Sequence, residues 1–142
     1  MRISDVLRGK GSNVATVDPG LSVSGLVAEL ARHNVGAMVV VSGGEVVGIV
    51  SERDVVRQLH ERGADLLDAR VSDIMTSSVY TCLPTDSVDS LAATMTERRI
   101  RHMPVVVDGT LVGIVSIGDV VKSRIGELQT EREQLESYIA RG

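Results

Sequence analysis

Two Ser-x-x-Asp pairs, Ser51 with Asp54 and Ser116 with Asp119, are the residues of this chain best suited to bind a ligand. Each pair follows a valine-rich run and opens a helical pattern, which places its carboxylate in the first turn of a helix. A carboxylate offers acceptor oxygens for the two hydroxyls of a vicinal diol, and the backbone N–H groups of a helix start can bind an anion. The same spacing also predicts a capping box, worth about 1 kcal/mol per helix, and the two roles are compatible.

The densest basic cluster of the chain comprises Arg98, Arg99, Arg101 and His102. Cations are common at the C-terminal end of a helix, which accounts for the first two residues. Arg101 and His102 instead precede a buried strand, where charge is less usual. We interpret them as contacts for a phosphate.

The chain shows no catalytic or metal-binding signature. It contains no Gly-x-Ser-x-Gly elbow, Walker loop or His-Glu-x-x-His motif. Three scattered histidines and a single cysteine form neither a triad nor a cluster with metal-ligand spacing. We therefore predict no enzyme activity, no metal and no required cofactor, and we interpret Cys82 as a small buried apolar residue.

Composition argues against two classes of partner. With a formal net charge of −4, no Trp, no Phe and two Tyr, the chain has neither a general basic field nor stacking platforms for nucleic acid. A local patch at residues 98–102 keeps that alternative open. No apolar run approaches a membrane span and the first residues lack a signal-peptide core, so we expect a cytoplasmic location without membrane contact.

An internal repeat organises the whole sequence. Residues 14–56 align with residues 79–121 without a gap, and 19 of the 43 aligned positions are identical. Each copy predicts the order strand, helix, strand, strand, helix. A three-stranded sheet with its helices cannot cover both of its faces alone, so we expect two pseudo-symmetric units that share one core, in the α/β (α+β) class. We place the units at residues 1–66 and 67–125, followed by a helical extension at 126–142.

Local signals place the elements within each copy. The apolar spacing after Ser22 predicts a helix capped by that serine and ended by a left-handed Asn34. Gly43-Gly44 and Asp108-Gly109 separate pairs of valine-rich runs and predict two hairpins. The sequence also predicts short strands at Val14–Val17 and Val79–Cys82, a loop at Gly9–Asn13, and an apolar helix face of Val55, Val56 and Leu59.

The tail carries a short heptad-like pattern. Apolar residues recur at Val121, Ile125, Leu128, Leu135 and Ile139, with Arg132 at the missing position. The pattern fits a helix that contacts a second copy, and it equally fits a helix that folds back onto the domain.

Three segments of the chain are Gly48-Ile49-Val50-Ser51-x-x-Asp54, Gly113-Ile114-Val115-Ser116-x-x-Asp119 and Ile100-Arg101-His102-Met103-Pro104-Val105. Together they resemble a tandem pair of CBS motifs, the cystathionine-β-synthase-type regulatory module. The resemblance covers residues 3–125 and suggests a stand-alone CBS-pair protein of bacterial type. It implies two clefts between the repeats that bind adenosine nucleotides or related adenosyl ligands, and a homodimer.

Family roles carried onto this chain give two candidate clefts. The resemblance implies that the first cleft, which we expect to be the tighter one for a phosphorylated ligand, uses Thr16, Val17, Val35, Gly36, Ala37, Arg101, His102, Ser116 and Asp119. It implies that the second cleft uses Ser51, Arg53, Asp54, Thr81, Cys82 and Ile100. The positions that match Arg101 and His102 are Gly36 and Ala37 there, so the second cleft lacks a side chain for the phosphate, and Arg53 or Lys10 would take that place.

Two functions follow as hypotheses. The first is a regulatory sensor that binds an adenosine nucleotide such as AMP, ADP or ATP, or a related ligand such as NAD or S-adenosylmethionine, and passes its occupancy to a protein target or to its own dimer. The alternative is a ligand-free module for dimerisation or protein interaction.

Overall fold

The computed structural model describes residues 1–11 and 13–141 and confirms the predicted fold class, with two similar halves in tandem. The elements in chain order are α1 (Ile3–Lys10), β1 (Thr16–Val17), α2 (Val23–His33), β2 (Ala37–Ser42), β3 (Glu45–Ser51), α3 (Glu52–Arg62), a 3-10 helix (Gly63–Asp68), α4 (Val71–Ile74), α5 (Val88–Arg98), β4 (His102–Val107), β5 (Thr110–Ser116) and α6 (Ile117–Arg141).

The predicted caps and turns are confirmed. The Ser22 hydroxyl accepts a hydrogen bond from the backbone N–H of Gly25 at 3.0 Å, and Asn34 ends α2 with a φ of 53°. Both hairpin turns have two consecutive residues at positive φ, namely Gly43-Gly44 and Asp108-Gly109. Turns of this hand match the twist of the strands that they connect, which explains the glycines.

The first half forms a three-stranded sheet in the order β1-β2-β3, whereas the second half forms only the β4-β5 hairpin. The strand predicted at Val79–Cys82 is therefore wrong in extent, because only Cys82 bridges to Val105. The reason lies in β4. Thr16 pairs with Val39 in the first half, and the residue aligned with Val39 is Pro104, which has no N–H to donate to a neighbouring strand.

The predicted single core is divided into two clusters, one on each sheet. The first cluster surrounds Leu26, Met38 and Val50, and the second surrounds Leu91, Met103 and Val115. The reason is that each sheet is covered by its own helices and by a short helix from elsewhere in the chain. Helix α4, which precedes the second repeat, packs on β3, and α1, which precedes the first repeat, packs on β5.

Two glycines allow these short helices to approach the sheets closely. A Cβ atom at Gly48 would lie 2.5 Å from the Met75 sulfur, and one at Gly113 would lie 2.6 Å from a methyl carbon of Leu7. The two contacts are equivalent by the repeat, so the pseudo-symmetry extends to the packing of the short helices.

The two short helices differ in length, which corrects the loop predicted at Gly9–Asn13. Helix α1 has eight residues and ends at Lys10, whereas α4 has four residues. The loop therefore starts at Gly11, and Ser12 lies outside the described residues. The longer α1 adds one turn, and that turn carries Lys10.

Helix α6 is continuous from the end of β5 to Arg141, across the predicted boundary at residue 126. Leu128, Leu135 and Ile139 are at least half exposed, so in the single chain the tail does not fold back onto the domain. Val56 and Leu59, on the predicted apolar face of α3, are 66% and 46% exposed, so that face is not covered in the single chain. The residue bounds assigned to the two units and the tail remain predictions.

Candidate functional site

Both Ser-x-x-Asp pairs form capping boxes at helix starts. The backbone N–H of Ser116 donates to Oδ2 of Asp119 at 2.9 Å, and the backbone N–H of Asp119 donates to the Ser116 hydroxyl at 3.1 Å. The corresponding distances for Ser51 and Asp54 are 2.9 and 3.3 Å. The structural interpretation of the motif is thus confirmed at both positions.

A lysine distinguishes the Asp119 site from the Asp54 site. Lys10 Nζ lies 2.6 Å from Oδ2 of Asp119 and donates to the carbonyl oxygen of Ile114 at 3.0 Å. Lys10 is one of two predicted candidates, with Arg53, for the site at Asp54, and the extra turn of α1 places it at Asp119 instead. Within the described part of the chain, Asp54 has no ion pair.

Lys10 also affects the ionisation of Asp119. Burial of the carboxyl raises the pKa of Asp119, but the hydrogen bonds from Lys10 and Ser116 and the charge of Lys10 outweigh this effect and leave the pKa below its ordinary value. Asp119 is consequently a carboxylate at neutral pH, and its side chain remains 20% exposed. It can accept hydrogen bonds from a ligand that reaches it.

His102 lies between the two halves beside this ion pair. It is the strand partner of Ser116. It also lies close to Gly36 and Glu52 of the first half, because a Cβ atom added at Gly36 would be 3.9 Å from Cε1 of His102 and 3.3 Å from Oε1 of Glu52. Burial, followed by the charge of Lys10, lowers the pKa of His102, although the charges of Asp119 and Glu52 oppose the shift. Its imidazole is therefore mainly neutral at pH 7, so Lys10 is the permanent cation of this cluster.

The remaining residues predicted for the first cleft lie around this cluster or in the adjoining sheet. Arg101 is exposed, and its carbonyl oxygen accepts the backbone N–H of Ile117 at 2.8 Å. Thr16 and Val35 are exposed, whereas Val17 and Ala37 are buried, so the last two can meet a ligand only through their backbone. No hydrogen bond between described residues joins Thr16 to Ser116 or Asp119.

The residues predicted for the second cleft form two groups. Ser51, Arg53 and Asp54 open α3, and Arg53 is exposed. Thr81 is exposed, whereas Cys82 is buried in the second core cluster with Ile100 packed against that cluster. Burial raises the pKa of the Cys82 thiol to about 12, which agrees with its interpretation as an apolar core residue.

Sequence reasoning missed Glu52 and the role of Lys10. Glu52 aligns with Ile117 in the second repeat, so the repeat offers no acidic counterpart that would have marked it as a site residue. The signal for Lys10 was available, because the segment that follows the first short helix is three residues longer than the segment that follows the second.

The described residues lack the features of two other classes of site. They contain no group of three or more His, Cys, Asp or Glu side chains that could hold a metal ion. Among the helices of residues 1–11 and 13–141, none combines the length and apolar character needed to cross a membrane.

The chain resembles known proteins in family, sequence and structure. The CBS domain family matches residues 3–61 and 71–126. The mitochondrial CBS domain-containing protein CBSX3 of Arabidopsis thaliana is 38% identical, over 99% of this chain and 72% of its own. The crystal structure of the CBS-domain containing protein ATU1752 from Agrobacterium tumefaciens is 42% identical, with a TM-score of 0.85 over 87% of this chain and 99% of that one.

One further structure contains ligands. The CBS domain pair of protein MJ0100, solved in complex with 5′-methylthioadenosine and S-adenosyl-L-methionine, is 26% identical, with a TM-score of 0.76 over 86% of this chain and 98% of that one. Two family matches that cover both repeats, and relatives similar along nearly the whole length, agree with the internal repeat and the fold. The chain therefore belongs to the CBS-domain family, as a tandem CBS pair.

Proposed function

We propose that this protein is a regulatory module that binds an adenosine nucleotide between its two CBS repeats, with the cleft at Asp119 as the principal site. The observation that carries the proposal is the cluster of Asp119, Lys10 and His102 at the start of α6, where side chains from both halves meet. A carboxylate suits the ribose hydroxyls of a nucleotide, and an ammonium suits its phosphate. The adenosyl ligands bound by the CBS pair of MJ0100 support this chemical class.

The Asp54 cleft is the weaker site in this proposal. It has the same capping geometry and can offer the same carboxylate to a ribose. The positions equivalent to Arg101 and His102 are Gly36 and Ala37, so it lacks their side chains. A phosphate bound there depends on Arg53 or on solvent.

The first test of the proposal is a thermal-shift panel with AMP, ADP, ATP, NAD and S-adenosylmethionine. A ligand at about 100 times its dissociation constant stabilises the folded state by about 2.7 kcal/mol. For a chain of this size that corresponds to a rise in Tm of about 5–10 °C. A rise with at least one adenosine nucleotide is expected, whereas a flat panel would contradict nucleotide binding.

A second candidate function is self-association, which a separate observation favours. Five apolar side chains on two helices are more than a third exposed: Val56 and Leu59 of α3, and Ile117, Val121 and Ile125 of α6. Each helix thus presents an exposed apolar face, and such faces mark surfaces that contact other proteins. We propose a second copy of this chain as that partner, which gives a homodimer, with an unidentified protein target as the receiver of the signal.

Truncation after Ile125 tests whether the tail contributes to nucleotide binding or to dimer formation. No residue proposed to contact a ligand lies beyond residue 125, so nucleotide affinity should not change. Loss of the dimer in the truncated protein would make the tail the assembly element, whereas a retained dimer would assign assembly to the α3 and α6 surface.

A further inference from the structure

The Lys10–Asp119 ion pair occupies one of the two oxygens that a ribose diol would use. Oδ2 of Asp119 already accepts the N–H of Ser116 and the ammonium of Lys10, at 2.9 and 2.6 Å. An oxygen with two acceptor positions has no further capacity for a hydroxyl. A diol that contacts both carboxylate oxygens must therefore displace Lys10 from Oδ2.

The displaced ammonium requires a new anionic partner. The Lys10 side chain is 34% exposed, and its other hydrogen bond goes to the neutral carbonyl of Ile114. His102 is a poor substitute because its imidazole is neutral or positively charged. A phosphate carried by the ligand would provide the missing charge, and the flexible stem of a lysine allows its ammonium to follow the phosphate.

We propose that Lys10 makes the Asp119 cleft selective for adenosine 5′-phosphates over adenosyl compounds without a phosphate. The proposal rests on the proposed function and adds a ligand class to it. A phosphorylated ligand replaces the ion pair that it breaks, whereas an uncharged ligand supplies no counter-ion, and the nearby Glu52 forms no ion pair with Lys10. Among the described residues no cation forms an ion pair with Asp54, so the selectivity belongs to the Asp119 cleft.

The test compares AMP with 5′-methylthioadenosine, which has the same base and ribose but no phosphate. Calorimetric titrations use the full chain with Asp54→Ala, so that the heat reports the Asp119 cleft. The variants Lys10→Met and Arg8→Met are added to this background. Arg8 is the matched control, because it lies on the same helix and pairs with Asp5 at 2.7 Å instead of with Asp119.

With Lys10 present, AMP should bind at least about tenfold more tightly than 5′-methylthioadenosine, as expected for one charge-assisted contact. In Lys10→Met this preference should fall to within about threefold, because AMP binds more weakly and 5′-methylthioadenosine more tightly. Arg8→Met should keep the original preference. If Lys10→Met does not fold, Lys10→Gln serves instead, since it keeps an N–H donor and removes the charge.

Two results would overturn the proposal, and they are distinguishable. If Lys10→Met or Lys10→Gln binds both compounds with the original preference, Lys10 does not determine selectivity, although nucleotide binding stands. If neither compound binds to the background protein or to the unmodified chain, the proposed function fails and this proposal fails with it.

Discussion

Lys10 and Asp119 are 109 residues apart in sequence, and their charged atoms lie 2.6 Å apart. The contact joins the N-terminal helix to the first turn of the helix that closes the second repeat. It makes two otherwise similar sites different, because Asp54 has the same hydrogen bonds with Ser51 and no ion pair among the described residues. The asymmetry between the clefts is therefore built by α1, which lies outside the aligned repeat.

The ion pair predicts how stability depends on acid. Because the pKa of Asp119 is lowered on folding, its contribution is fully present above the ordinary value of 3.8 and is lost as the pH falls through the lowered value. Lys10→Met removes part of that contribution. The free energy of unfolding of this variant should therefore lie below that of the wild type at neutral pH, and the difference should become smaller as the pH falls. Urea unfolding between about pH 7 and pH 2, a range that extends well below the ordinary value of 3.8, measures this.

Arg8→Met is the control for that series, since the guanidinium that it removes lies on the same helix and does not contact Asp119. If the deficit of Lys10→Met stays constant over the whole range of pH, the ion pair does not stabilise the folded state.

His102 should titrate below its ordinary pKa of 6.5, mainly because it is buried. A histidine whose pKa is lowered on folding stabilises the protein above the unfolded value, and that stability is lost as the pH falls through the folded value. The Cε1–H signal of His102 in a proton NMR titration gives its pKa directly. In Lys10→Met that pKa should rise, because a nearby positive charge is removed. An unchanged or lower pKa in that variant would place Lys10 away from His102.

Two glycines in different surroundings, Gly48 on β3 and Gly126 within α6, predict opposite effects of alanine. Gly48→Ala should destabilise the protein by about 1–3 kcal/mol, since the new methyl group would overlap Met75 and approach the carbonyl oxygen of Thr76. Gly126 lies within α6 with no neighbouring atom in reach, so Gly126→Ala should stabilise the protein by about 0.5–1 kcal/mol. Thermal unfolding of both variants tests the pair. A Gly48→Ala protein as stable as the wild type would show that α4 does not pack closely on β3.

The exposed surface of α3 and α6 predicts the effect of a charge on assembly. Val121→Asp should convert the proposed homodimer into a monomer, because a carboxylate would be buried without a partner in the interface. Light scattering after size-exclusion chromatography measures the mass. Gln134→Asp is the matched control on the exposed tail of the same helix. A Val121→Asp protein with unchanged mass would exclude this surface as the interface.

Local chemistry made most of the fold predictable. The caps at Ser22 and Asn34 and the two glycine turns depend on backbone conformations that few residue types favour, and the repeat doubled each signal. The strand at Val79–Cys82 could have been shortened from the sequence alone, since Pro104 stands where a donor is needed. The division of the core was harder to predict, because it depends on which sheet each short helix covers.

The candidate site was predictable in part. The two capping boxes follow from spacing, but the Lys10–Asp119 contact is tertiary, and composition at Gly9 and Gly11 favoured a loop over a longer α1. The residue sets of the two clefts and the cytoplasmic location stay predictions.

The most direct test of nucleotide binding is a calorimetric titration of AMP into the wild type, Asp119→Ala and Asp54→Ala. The two variants lose equivalent capping boxes, so the caps do not account for a difference between them; Asp119→Ala also removes the ion pair with Lys10. We predict that Asp119→Ala weakens AMP binding by at least about tenfold and that Asp54→Ala leaves the tighter binding event in place. Equal effects of the two substitutions would contradict the ranking of the clefts, and the absence of heat in the wild type would contradict nucleotide binding itself.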